Sequence, residues 1–246
     1  MKKWLLSLLA FLTAFTIINF SAPKEAHAQL SLELIGKLGG KSTYIEKESF
    51  GDSIFDVGGG LQFTTLFRFE QGTAVGLNFN WTMIEQRLKR SELSEELGVT
   101  ERWMTVQHPS FGFALRHAFV DFAEFGLWLN YGFGTVNIDW KGMNIDSARR
   151  YGLDNANLKW KLQSFELGLL LQFRWNIPST HLHAIFGLQG FMDISRMYPS
   201  DNSLAKAKDR NDRNLDENSI NTFGFMFVFG LSYDFYFESF GKRAPN

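Results

Sequence analysis

Two histidines and a nearby serine are the residues of this chain whose types and spacing come closest to a reactive site. His181 and His183 lie two positions apart, and Ser179 comes just before them. On a strand, residues at i and i+2 point to the same face, so the two imidazoles could bind a metal or assist a serine hydroxyl. Ser179 lacks the Gly-x-Ser-x-Gly sequence that surrounds the serine of lipases. Neither the spacing of the two histidines nor that of Ser179 before them is specific to a metal site or a hydrolase. We therefore expect no catalytic residue, no metal site and no cofactor.

A second candidate is the stretch Asp209-Arg210-Asn211, which is spaced like the start of a calcium-binding loop. The glycine and the later glutamate that complete such a loop are missing. We interpret this charged stretch as part of a solvated loop.

Charged residues of both signs also recur at alternate positions within otherwise apolar segments. An isolated charge in a protein interior costs several kcal/mol, so we expect these residues to form ion pairs and hydrogen bonds. If Glu166 and Arg116 pair, for example, their contributions to stability should be strongly coupled. The expected interior network consists of Glu33, Lys37, Asp56, Arg68, Arg116, Glu166, Arg174, Asp193 and Asp234.

The elements that would position these charges are strands. Large apolar residues occupy every second position from Phe223 to Phe237. Successive side chains of a strand point to opposite faces, so this pattern builds one wall of large apolar groups. A helix would scatter the same residues around its axis. Seven further segments between residues 30 and 192 share the alternation, which predicts an all-β chain of eight strands.

The connections between these segments alternate in length. The long ones are 41–53, 87–101, 141–155 and 196–219, and the tight ones are 70–72, 120–123 and 177–179. Every long loop then lies at one end of the sheet, as in bacterial outer-membrane barrels. The prediction is an eight-stranded antiparallel up-and-down transmembrane β-barrel. A soluble barrel of the lipocalin type would share this topology, but its outward face would be polar.

The N-terminal region has the organisation of an export signal. Lys2 and Lys3 precede the apolar stretch 4–20, and a polar stretch ends in Ala26-His27-Ala28. Small residues at Ala26 and Ala28 predict cleavage before Gln29. The expected domains are a signal peptide over 1–28, a barrel over 29–237 and a short periplasmic tail over 238–246.

In these features the chain resembles the eight-stranded outer-membrane barrels, such as the transmembrane domain of outer-membrane protein A and outer-membrane protein X. The resemblance is one of pattern over about residues 29–237. Gly230, Tyr233 and Phe235 match the spacing of the signal that the barrel-assembly machinery reads in the last strand of that family. The departure is that Phe235 is not terminal. The resemblance implies a location in the bacterial outer membrane and contact with its lipid and lipopolysaccharide.

The expected function is a closed structural or interaction scaffold that displays four extracellular loops to an extracellular partner. A net charge of −1 gives no sign of a nucleic-acid partner. The alternatives are a narrow channel or carrier for small solutes or hydrophobic molecules and, more remotely, a lipid-modifying enzyme. Eight strands enclose only enough room for their own side chains or one small ligand, which favours the closed barrel.

Overall fold

The computed structural model describes residues 29–45, 53–69, 72–154, 156–200 and 218–236. Within them, eight antiparallel strands pair in chain order and close into a barrel. The strands are β1 Gln29–Ile45, β2 Ser53–Arg68, β3 Thr73–Arg87, β4 Glu101–Val120, β5 Ala123–Lys141, β6 Asn157–Asn176, β7 Leu182–Pro199 and β8 Asn218–Tyr236. The predicted all-β, eight-stranded up-and-down barrel is confirmed. The predicted signal peptide and tail lie outside the described residues, as do Phe237 and Asp209-Arg210-Asn211.

The first and last strands close the barrel along their whole length. Their register runs without interruption from Gln29 opposite Tyr236 to Ile45 opposite Ile220. Closure matters because unpaired backbone groups at a sheet edge cannot be satisfied in hydrocarbon. Three tight connections and the ends of β1 and β8 lie at one end, which we call the turn end; the opposite end is the loop end.

Near the turn end the apolar side chains point outward, away from the barrel axis. On β8, Phe225 and Phe227 are 77% and 69% exposed, whereas Met226 and Val228, which alternate with them, are buried inside. The same holds on the other strands, and together the outward residues form an apolar belt. The inward side of this region is mostly small, polar or charged. This polarity is the reverse of that in a soluble barrel.

Above the belt the outward side chains are mostly polar and the inward side chains are apolar. The same alternate positions of each strand still point outward. On β4, Phe111 and Phe113 face outward below, with His108 and Ser110 inside. Four residues further up, Met104 is buried inside among apolar neighbours, with polar residues on the outer face. A strand needs about 9–11 residues to cross a bilayer, and these strands have 15 to 20. The upper part of the sheet thus has the polarity of a water-exposed barrel.

Two short helices cover the loop end. Helix α1, Glu92–Glu96, joins β3 to β4 and is capped by Ser91 in a capping box. Helix α2, Ile145–Ala148, lies between β5 and β6 and is capped at its N-terminus by Asn144. A 3₁₀ turn, Arg149–Tyr151, follows it. The sequence analysis treated both regions as plain loops. Among the described residues, no helix is both long and apolar enough to span a membrane.

Candidate functional site

The barrel interior near the turn end contains a chain of buried ion pairs. Arg68 bonds to Glu124 and lies 3.0 Å from Glu33 (Nη2 to Oε1). Arg174 reaches Glu124 at 3.3 Å and Asp234 at 2.9 Å. Glu124 therefore lies between two guanidinium groups, and Glu33 and Asp234 each have a cationic partner, as buried charges require.

Further groups complete this network. Arg116 Nη2 lies 4.0 Å from Glu33 Oε2, and His183 Nε2 lies 2.7 Å from Asp234 Oδ2. Gln172 Nε2 donates to Glu124 Oε2 at 2.8 Å. The arginines Arg68, Arg116 and Arg174 balance the carboxylates Glu33, Glu124 and Asp234. We call these six residues the lower charge network.

The ion pair that the structure gives Arg116 is with Glu33, so a pairing of Arg116 with Glu166, which the sequence left open, is not the one observed. Which inward residues meet across a barrel depends on the stagger between strands, and alternation alone does not fix that stagger. The sequence analysis also missed Glu124. Its inward parity on β5 was readable, but the residue directly follows the tight connection 120–123 and precedes the first large apolar residue of the segment, Phe125.

A middle layer separates the lower charge network from the next polar groups. Trp128 is fully buried and donates from Nε1 to Glu166 Oε1 at 2.8 Å. Glu166 also accepts from Asn80 at 2.6 Å and from Ser110 at 2.9 Å. Lys37 donates to Asn80. Glu166 thus accepts hydrogen bonds from neutral donors. The ammonium group of Lys37 is linked to it through Asn80.

The structure brings together a serine, a histidine and an aspartate that the sequence analysis did not connect. His108 Nδ1 lies 3.4 Å from Asp193 Oδ2, and His108 Nε2 contacts Ser164 Oγ. The order of contacts is that of a serine-hydrolase triad. Gly132 makes room for them, because a Cβ there would lie 1.9 Å from His108 Nε2. No sequence motif marks this cluster, since its members come from β4, β6 and β7.

A small cavity lies beside this cluster. This cavity of about 20 Å³ lies next to His108, Glu166 and Asp193, which is room for about one water molecule. Lys41 lines the same cavity and places its ammonium group 5.1 Å from the centre of the Phe191 ring. The sequence analysis began a loop at Lys41, whereas β1 continues to Ile45. The cavity is too small for an acyl chain or a peptide.

Above this level the interior is filled by apolar side chains, which we call the apolar cap. Trp140 and Trp160 are fully buried at its centre, and Leu93 and Leu97 from the α1 region cover it. The cap unites residues of β3 to β8 with both loop helices. It fills the interior of the loop end on the side of β3 to β8.

The two histidines singled out in the sequence do not act together. His183 contacts Asp234 inside, whereas His181 packs against the rings of Tyr233 and Tyr236, at centroid distances of 6.0 and 5.4 Å. Within the described ranges, no group of three or more His, Asp or Glu side chains could hold a metal ion.

The residues of the expected assembly signal lie at the turn end of β8. Tyr233 and Phe235 point outward, with ring centroids 4.6 Å apart. Gly230 packs so closely on β1 that a Cβ would lie 2.1 Å from the Leu34 carbonyl oxygen. Recognition of these residues by an assembly machinery stays a prediction.

A closed antiparallel sheet with an apolar outer belt, a charged interior and all tight turns at one end is now established. This is the architecture of the eight-stranded outer-membrane barrels. No protein-family model matches the chain, and no curated protein matches it in sequence.

Several solved outer-membrane proteins resemble the chain in fold at low sequence identity. Ail, the attachment invasion locus protein of Yersinia pestis, solved in complex with the heparin analogue sucrose octasulfate, is 12% identical with a TM-score of 0.41; the match covers 86% of this chain and 100% of Ail. OprG from Pseudomonas aeruginosa is 11% identical with a TM-score of 0.42, over 87% and 98%. AlkL, solved in DMPC lipid bilayers, is 11% identical with a TM-score of 0.43, over 92% and 96%.

Proposed function

We propose that this chain is an integral outer-membrane protein whose closed barrel serves as a scaffold for its loops and does not conduct solutes. The observation that carries the proposal is the filling of the interior along the barrel axis. The lower charge network occupies the turn end, Trp128 and Glu166 fill the middle, and the apolar cap occupies the loop end. An eight-stranded barrel has little room beyond its own side chains.

The outer surface supports the membrane location. The belt carries large exposed apolar groups on every strand, including Leu34, Phe79, Phe113 and Leu169. Such a continuous apolar surface would be an aggregation hazard in water, and it suits the hydrocarbon of a bilayer. The polar outer face of the upper sheet would then stand in the head-group region and the water beyond it.

The loop end supports a role in display, because two loops are joined into one platform. Asn144 N donates to Leu97 O at 2.8 Å, and Tyr151 Oη donates to Glu96 Oε1 at 2.6 Å. Thr100 N donates to Lys141 O at 2.9 Å. A rigid platform lowers the entropy cost of binding a partner. Its exposed charges include Lys89, Arg90, Glu92, Glu95, Glu96, Asp146, Arg149, Arg150 and Asp154.

On this proposal the serine cluster does not turn over a substrate. Ser164 and His108 are buried inside the closed sheet, and the cavity that His108 lines has room for about one water molecule. A general base needs a substrate within hydrogen-bond reach, and this cavity admits none. A fluorophosphonate probe should therefore label the folded wild-type barrel no more than Ser164→Ala. Specific labelling of Ser164 would favour the enzyme reading instead.

Ion conductance of the mature chain, residues 29–246, refolded into planar bilayers tests the closed barrel. Heat-dependent gel mobility serves as the control for a folded sample. We expect no discrete conductance steps. Steady steps would refute the proposal if Glu166→Gln altered their ion selectivity, because that change would place the current inside the barrel. Steps unaffected by Glu166→Gln would arise from leakage around the protein.

A further inference from the structure

The outer face of β6 and β7 carries three cationic side chains directly above the apolar belt. Lys159 and Lys161 alternate on β6, and Arg196 lies on β7. All three are exposed and point away from the barrel axis. In the register, Arg196 stands opposite Gln163, so it is the diagonal neighbour of Lys161. Diagonal neighbours on a sheet lie about 7–8 Å apart, close enough for both cations to contact one anionic group.

These cations lack a protein counter-ion within the described part of the chain, where none of the ion pairs includes them. Their neighbours on β5 are neutral, with Thr135 opposite Lys161 and Asn137 opposite Lys159. The nearest acidic position on the outer face of β5 is Asp139, which stands opposite Asn157 and one step above Lys159. We call Lys159, Lys161 and Arg196 with these neutral neighbours the cationic strip. The strip thus combines unpaired positive charge with hydroxyl and amide groups.

The other side of the barrel differs at the same height. On β4 and β5, Lys141 Nζ donates to Glu101 Oε2 at 2.9 Å. Glu85 and Arg87 alternate on the outer face of β3. Positive charge there is offset by nearby carboxylates, so among the described residues of β3 to β7 the unpaired positive charge at this height lies on β6 and β7.

The strip begins where the belt ends. Below Gln163 the next outward residue on β6 is Phe165, and below Arg196 on β7 it is Ile194; both are exposed. A ligand seated on the cations would therefore have apolar surface directly beneath it. A phosphorylated lipid provides both parts, since guanidinium and ammonium groups bind phosphate oxygens and acyl chains cover the belt.

We propose that Lys159, Lys161 and Arg196 form a binding site for the phosphate groups of an outer-leaflet glycolipid of the lipopolysaccharide type. The lipid's phosphates would contact the cations, Thr135 and Gln163 would bond to its sugar or phosphate oxygens, and its acyl chains would lie along β6 and β7. The site rests on the proposed membrane location, and it adds a specific lipid to one side of the barrel.

The test uses the mature chain in nanodiscs of phosphatidylcholine containing a small fraction of lipid A. The bound lipid A per barrel is counted by native mass spectrometry after gentle detergent extraction. The double variant K161Q/R196Q removes two cations of the strip. The control R87Q/K141Q removes two cations at similar height on the other side of the barrel. Neither pair lies in the interior, so heat-dependent gel mobility should show both variants folded.

We expect K161Q/R196Q to bind lipid A about 30-fold more weakly than wild type, from roughly a fivefold loss per charge near a lipid surface. The control and the charge-conserving variant K161R/R196K should stay near wild type. Lipid A stripped of its phosphates should bind wild type and K161Q/R196Q equally. Millimolar inorganic phosphate should not displace the lipid; displacement would identify a site for free phosphate and overturn the lipid assignment.

Equal binding of lipid A by wild type and K161Q/R196Q would overturn the proposal, as would an equal loss in R87Q/K141Q. Both results presuppose a barrel folded in the nanodisc. A wild-type chain that does not insert at all would instead contradict the proposed membrane location. The two failures are therefore distinguishable.

Discussion

Glu124 is the carboxylate on which the lower charge network depends most, so Glu124→Gln is the most informative single substitution. Its side chain is 4% exposed and accepts hydrogen bonds from Arg68, Gln172 and Arg174. Glutamine keeps the shape but leaves one acceptor oxygen where there were two, and it points an amide donor at guanidinium donors. The network then changes from three carboxylates facing three arginines to two facing three.

Removing one partner of a buried pair leaves an uncompensated charge and costs about 3–5 kcal/mol. Because two arginines lose a partner here, we expect Glu124→Gln to fall in that range. Urea unfolding of the refolded barrel in lipid vesicles, followed by tryptophan fluorescence, measures the change in the free energy of unfolding. Glu101→Gln breaks the exposed pair with Lys141 and should have little effect.

A double-mutant cycle separates the electrostatic explanation from loss of packing. In Glu124→Gln/Arg174→Gln, one negative and one positive charge are removed together. The double variant should be more stable than the sum of the two single losses predicts, by at least about 1 kcal/mol. A cost below about 1 kcal/mol for Glu124→Gln, or strict additivity in the cycle, would refute the account of the interior as a mutually neutralised network.

Three further predictions concern the belt, the middle layer and the N-terminus. Leu169→Arg, in the belt, should destabilise the barrel in bilayers by about 2–4 kcal/mol, while Gln163→Arg, just above it, should cost less than about 1 kcal/mol; equal costs in the urea assay would contradict the assigned membrane boundary. Gly168→Ala should cost about 1–3 kcal/mol, because its Cβ would lie 1.7 Å from the Trp128 ring, and unchanged stability and Trp128 fluorescence would count against the packing described. Mass spectrometry of the exported protein should find Gln29 as the first residue, and any other start would relocate the cleavage site.

The strand count and the belt were predictable because each depends on local alternation. From Phe223 onward, the alternation of apolar residues is visible over a whole strand. The alternation within one strand identifies it without any knowledge of the neighbouring strands. The alternation of long and short connections then fixed the topology. These properties do not depend on how far one strand is shifted along the next.

The interior contacts were not predictable for the converse reason. His108, Ser164 and Asp193 meet only because the stagger of β4, β6 and β7 brings them to one height and Gly132 leaves space between them. The pairing of Arg116 with Glu33 depends on the same stagger. Inward parity shows which charges share the interior, but the choice of partner is a property of the closed barrel.

The reversal of polarity above the belt is visible in the sequence, but it was not predicted. On β6, Lys161 and Gln163 share the outward parity of Phe165, and Leu162 shares the inward parity of Ser164. A search for the apolar face of each strand averages over its length, so a switch of face part-way along blurs the pattern. Reading each half of a strand separately would have located the edge of the membrane.

That reversal also sets the order in which the molecule can be completed. If the chain is threaded from the turn end, as the proposed location requires, Trp140 and Trp160 of the apolar cap must traverse the bilayer before they can meet α1 and α2. The lower charge network can form while the strands are still entering, because its members stay near the side of entry. On this order of events, formation of the apolar cap at the loop end would be the last step of folding. A barrel halted just before it would have an open vestibule lined with tryptophan, which makes the unfinished protein, unlike the finished one, a target for small apolar compounds.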